Sequence, residues 1–148
     1  KTFIPTEYSK GKISRSLSYF AVKYNYTNEL CNVIDPMTLL KWNYVDPVDN
    51  EEFHKNIISY RYQNNFNYFI LNSDLVLYSF IDLIDLNNQN NVDKINKIII
   101  NKQEKIIDVI PTIKYLIEEI KTKENDKDFK KYLSLQNKMD NFLKRRKD

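Results

Sequence analysis

The chain has 148 residues, 42% hydrophobic and 29% charged, with a formal net charge of +3. That length predicts one domain with one sizeable core, and its longest apolar stretch, Leu75 to Leu86, is broken by Ser79, Asp82 and Asp85 and falls short of the roughly 20 residues of a membrane span. A single glycine, Gly11, excludes a glycine-built phosphate cradle, and a single cysteine, Cys31, excludes an internal disulfide and favours a reducing compartment.

No signal peptide is visible, and the start at Lys1 rather than Met reads as a piece of something longer. The abundance of Asn, Ile and Lys reads as the codon bias of an AT-rich genome. Charge is unevenly spread. Residues 121–148 hold ten Lys/Arg and five Asp/Glu, a net of +5, which leaves −2 for the first 120 residues. Such a tail suits an acidic partner: nucleic acid, an anionic membrane or an acidic filament.

In chain order, Pro5 and Gly11 punctuate an extended start, and Ser16 to Tyr26 alternates as a strand or irregular packing would. Residues 1–34 are therefore expected to form an irregular arm packed on a helical domain spanning 35–148. Asp35-Pro36 reads as a helix N-cap with proline at the first helical position. Asp46-Pro47 breaks the chain again. Asp49 caps the next helix, with Glu51 and Glu52 in its first turn and Phe53, Ile57 and Tyr60 on one face. Residues 63–67 read as a turn. Tyr68 to Leu86, interrupted at Asn72-Ser73, reads as a central helix apolar on almost all sides. Val92, Ile95, Ile98 and Ile99 mark a short amphipathic helix. Lys105–Ile110 and Pro111–Ile120 read as two helical pieces joined at Pro111. The last helix, from Asp126 to about Arg146, carries a stripe of Phe129, Leu133, Gln136, Met139 or Asp140, and Leu143, flanked by Tyr132, Leu135 and Phe142. The rhythm predicts an all-α domain.

Catalytic signatures are sparse. His54 is the lone histidine and has no nucleophile beside it. Cys31 with one distant His does not make a zinc site and reads as a small apolar core residue. Gly11-Lys12-Ile13-Ser14 fails as a phosphate loop, because the Ser falls one place late. Glu51-Glu52 and Glu118-Glu119 are helix neighbours pointing about 100° apart, so both pairs read as solvated faces. No enzyme, metal site, cofactor or small-molecule substrate is expected. Lys144, Arg145, Arg146 and Lys147 complement a helix C-terminus and form the one candidate docking cluster. The aromatic residues allow base stacking, yet most fall on apolar helical faces, which favours core use.

Several segments resemble the parkin co-regulated protein family and its ParcG domain. They are Tyr8-Ser9-Lys10-Gly11-Lys12-Ile13-Ser14-Arg15-Ser16-Leu17, Leu40-Lys41-Trp42-Asn43-Tyr44-Val45-Asp46, Phe66-Asn67-Tyr68-Phe69-Ile70-Leu71 and Lys105-Ile106-Ile107-Asp108-Val109-Ile110-Pro111. Residues 18–36 look like an insertion. The resemblance implies an ARM/HEAT-like helical repeat array, an α-solenoid, with an irregular helical bundle as the alternative. It also implies a non-catalytic structural protein binding tubulin and other axonemal proteins in the cytoplasm. The place would be the inner junction of the doublet microtubules of a flagellar axoneme. Under it Trp42 and Tyr68 are buried. Two alternatives stand beside this reading. One is a helical adaptor or effector that binds another protein. The other, less favoured, is a nucleic-acid-binding helical domain that uses the basic C-terminal helix. No membrane partner is expected.

Overall fold

A computed structural model describes residues 6–103 and 127–147, with Tyr115, Glu118, Glu119 and Thr122 between them. All the regular structure of the described residues is helical, with no strand. The helices are α1 (Lys10–Lys23), α2 (Thr27–Val33), α3 (Pro36–Val45), α4 (Asn50–Gln63), α5 (Tyr68–Leu71), α6 (Leu75–Phe80), α7 (Gln89–Ile100) and α8 (Lys127–Lys147), and a 3-10 turn at Ile81–Leu83 follows α6.

Short polar residues set four of the helix starts. Asp35 accepts from the Met37 amide, with Pro36 at the first position of α3. Asp49 accepts from the Glu52 amide at the head of α4. Asn67 and Asn88 do the same for Phe69 in α5 and Asn90 in α7. Asn64 ends α4 in the left-handed region, at φ 59°, where asparagine is among the few side chains tolerated.

The core gathers around α6, in which Leu75, Val76, Leu77, Tyr78 and Phe80 are all buried. α1 lies across α3, α5 and α6. α8 runs along the core: Phe129 and Tyr132 pack near Tyr68, Leu135 against the Leu39–Phe69–Leu75 group, and Met139 and Phe142 against Leu40, Tyr44 and Tyr78.

The all-α expectation holds. The ARM/HEAT-like solenoid is not confirmed. In a solenoid each unit touches only its neighbours, whereas α8 packs back onto α1. The strand or irregular reading of residues 16–26 is corrected, because α1 and α2 are helices. The buried face of α1 is Gly11, Ser14, Arg15, Ser18 and Ala21. That stripe has helical spacing but consists of small and polar residues, so hydrophobic periodicity misses it. The long helix over Tyr68–Leu86 is three short pieces, since Asn72 leaves the helical region and Ile81–Leu83 tightens to 3-10. α8 falls within a residue of its expected bounds but is rotated. Leu133 and Leu143 are exposed, while the flanking Tyr132, Leu135 and Phe142 pack inward. The expected helices over Lys105–Ile120 fall almost wholly outside the described residues.

Candidate nucleic-acid interface

The positions that hold α1 in place are polar. The Arg15 side chain, wholly buried, donates from Nε to Glu52 Oε2 at 2.8 Å and from Nη2 to Glu52 Oε1 at 2.7 Å. Its remaining donors reach the Asn43 side chain and backbone carbonyl and the Asp46 carbonyl. Asp46 turns its carboxylate onto the Gly11 amide at 2.9 Å, and Lys12 meets Asp49 at 3.4 Å. Asn67 continues the chain of bonds, donating to the Arg15 carbonyl and exchanging two bonds with Asn56. Glu52 is thus corrected from a solvated to a buried, paired carboxylate. Its neighbour Glu51 stays exposed, since adjacent helical positions point apart. The acidic groups nearest one another are held by an arginine, an amide and a helix N-terminus. They fix the relative placement of α1, α3 and α4.

The last helix is cationic. α8 carries eight Lys/Arg and two Asp, a net of +6. Its solvent line runs Lys127, Lys130, Ser134, Asn137, Asn141, Lys144, with Arg145 beside it, and all are exposed. That line contains hydrogen-bond donors, with the exposed carboxylate of Asp140 beside Asn137 and Lys144, and covers about 25 Å at the rise of an α-helix. Of the four expected docking residues, Lys144 and Arg145 lie exposed on the last turns of α8. Arg146 and Lys147 follow them on its helical backbone. The structure adds Lys127 and Lys130 to the same face. They are spaced along the helix, whereas the cluster at the terminus is contiguous in sequence.

At its N-terminal end α8 meets the end of α1. Lys131 donates to the Val22 and Lys23 carbonyls, closing the C-terminus of α1. Lys23 pairs with Asp128 at 3.2 Å, and the Tyr19 hydroxyl donates to Asp128 at 3.1 Å. Burial, then the charge of Asp128, pushes the Tyr19 hydroxyl up to about 12. Phe20 near the end of α1, and Tyr24 and Tyr26 just after it, are exposed, with Lys23 Nζ 5.8 Å from the Tyr24 ring centroid.

Elsewhere, a groove of about 450 Å³ between α3, α6, α7 and α8 is walled mainly by apolar side chains, among them Tyr44, Leu77, Tyr78 and Phe142, with Asp74 and Lys102 at its edge pairing with one another. His54 is exposed on α4 and Cys31 is half-buried against the core. Among the described residues no three His, Cys, Asp or Glu side chains converge as metal ligands would.

The module thus pairs a cationic outer face on α8 with an internal salt-bridge network that fixes α1 against α3 and α4. The family model for Endonuclease I matches residues 1–74, half of the chain, and the chain belongs to that family. No curated protein and no solved structure matches the chain. The match contains the whole Arg15 network, from Gly11 to Asn67.

This membership overturns the ParcG resemblance, and with it tubulin, the axoneme and a purely structural role. Three of the four segments that carried the resemblance lie inside the Endonuclease I match, and the fourth, at Lys105–Pro111, lies outside the described residues. Tyr68 is buried, as expected, and Trp42 only half-buried; any helical core buries its aromatics, so the agreement at Tyr68 did not discriminate. The expectation of no enzymatic role and the low standing given to a nucleic-acid partner are corrected by the same finding, which favours the nucleic-acid alternative over the tubulin reading: the family is one of nucleases.

Proposed function

We propose that the chain is part of a nuclease that hydrolyses phosphodiester bonds in nucleic acid, and that the outer face of α8 holds the strand. The Endonuclease I match over residues 1–74 carries this reading. The α8 face supports it with the chemistry a phosphate backbone requires: Lys127, Lys130, Lys144 and Arg145 as cations, and Ser134, Asn137 and Asn141 as neutral donors. In this reading Arg146 and Lys147 extend the cationic line, and residues 1–34 act with residues 35–148 as one binding unit, since α1 and α8 build one junction.

The test is incubation of the purified chain with supercoiled plasmid, single-stranded DNA and RNA in the presence of divalent salts, with fluorescence anisotropy in parallel. Nicked or shortened products, with binding that weakens linearly in log salt, are expected. Binding without cleavage overturns the nuclease reading and keeps the interface. Absence of both overturns the whole.

A further inference from the structure

We propose that Phe20, Tyr24 and Tyr26 form a stacking platform for unpaired bases, so that single-stranded nucleic acid is the preferred ligand of this chain. The inference rests on the nucleic-acid reading above and deepens it.

The three rings make one continuous surface. Phe20 and Tyr24 have centroids 4.7 Å apart, and Tyr26 lies 6.5 Å from Phe20 and 6.4 Å from Tyr24. Each ring is about half exposed, at 54%, 50% and 51%. Fold architecture does not demand them. The packed face of α1 is Gly11, Ser14, Arg15, Ser18 and Ala21, and Phe20 projects from the opposite side. Three adjacent aromatics left half in water cost hydrophobic free energy that a polar residue at these positions would avoid.

Charge beside the platform selects its occupant. Lys23 Nζ lies 5.8 Å from the Tyr24 ring centroid. Lys131 reaches the carbonyls of Val22 and Lys23, and exposed Lys127 and Lys130 occupy the same end of α8. Asp128 is held by Lys23 and Tyr19, and Glu29, in the first turn of α2 beyond Tyr26, is exposed. A strand whose phosphates follow the lysines would bring its bases to the rings. A duplex keeps its base faces stacked inward, whereas an unpaired base offers a face to any flat aromatic surface, with little sequence preference. Exposed rings with Lys23, itself paired to Asp128, beside one of them, and with the exposed lysines of α8 as the phosphate line, match the combination used to bind single strands.

The experiment compares three ligands of equal phosphate count: a labelled 15-mer of dT, an abasic 15-mer, and a duplex. Wild type is expected to bind dT at least about 10-fold more tightly than either the abasic strand or the duplex, within the range of one to two stacked bases, and a duplex bound as tightly as dT overturns the single-strand preference. The variant F20S/Y24S/Y26S, whose changes are all at exposed positions, is expected to bind dT and the abasic strand alike. Its salt slope should be unchanged, because no phosphate contact is lost. Y24L keeps apolar area and removes the ring, so it should lose affinity for dT alone. Its helical circular dichroism should match wild type. Equal affinity of wild type for dT and the abasic strand overturns the platform while leaving the cationic face intact. So does a Y24L variant that binds dT as wild type does, as would occur if the rings served a protein partner. No binding to any of the three ligands overturns the nucleic-acid reading itself, and the platform with it.

Discussion

Arg15 and Glu52, 37 residues apart in sequence, meet through two parallel hydrogen bonds of 2.8 and 2.7 Å, with Arg15 at 0% and Glu52 at 6% exposure. The bidentate geometry matches the planar guanidinium to the carboxylate and fixes direction as well as distance. Because further donors of Arg15 are met by Asn43 and Asp46, the pair ties α1 to both α3 and α4.

Replacing one member strands the other. Arg15→Met should destabilise the fold by about 3–5 kcal/mol, since the Glu52 carboxylate is left buried without its partner. The double variant Arg15→Met/Glu52→Leu should lose markedly less than the sum of the two single changes. Urea unfolding followed by circular dichroism measures both. Additive losses would remove the pair as the organising contact.

Gly11 is required by proximity, not by backbone angle. A Cβ added there would lie 1.8 Å from the Asp46 carbonyl oxygen and 2.7 Å from Arg15 Nη2. Gly11→Ala should therefore cost about 2–3 kcal/mol through overpacking, despite the higher helix propensity of alanine. A midpoint in urea equal to or above wild type would contradict the close approach of α1 to the α3–α4 turn.

Asp49 caps α4 through the Glu52 amide at 2.9 Å and faces Lys12. Asp49→Ala should cost about 1 kcal/mol, with Asp49→Asn recovering most of the loss because it keeps the accepting oxygen. Thermal unfolding of the two variants checks the order.

Stability should fall at alkaline pH. Tyr19 has its folded value raised from 10.0 to about 12, by burial first and then by Asp128. Above pH 10 the unfolded chain releases this proton while the folded one keeps it. The contribution is therefore full below pH 10 and is lost as pH rises towards 12. Burial first, then Asp74, raises Tyr44 as well. Tyr19→Phe should flatten the stability profile between pH 10 and 12, as read by urea midpoints at stepped pH. An unchanged slope would place Tyr19 in solvent.

Replacing Lys127, Lys130, Lys144 and Arg145 with Ala should weaken nucleic-acid binding uniformly across sequences. On a single strand the log–log salt slope should shrink by about 0.7 for each phosphate contact removed. All four are exposed, so unfolding temperature should barely move. Salt titrations by anisotropy test this. An unchanged slope would take α8 out of the interface.

Local chemistry was legible wherever it acts locally. The caps at Asp35 and Asp49, the turn at residues 63–67, the amphipathic α7 and the bounds of α8 all follow from side chains acting on backbone within a few residues, which a sequence displays directly. Asn72-Ser73 likewise marked the break before α6. The excess of cations near the C-terminus was also plain. Its meaning was not, because charge alone suits an acidic filament as well as a phosphate backbone.

What the sequence determined by itself is an all-helical chain with a basic last helix, since propensity, capping and charge count are sums over near neighbours. Tertiary structure decided the rest. It turned α1 inward on small and polar residues, which packing requires and hydrophobicity does not reveal. It drew Glu52, outwardly one of two helix-start carboxylates, into the interior, because only there does Arg15 find a bidentate partner. It also set Phe20, Tyr24 and Tyr26 together on the surface. Whether an aromatic ring is buried or bare depends on which faces of other helices reach it, and that is fixed only once distant segments meet.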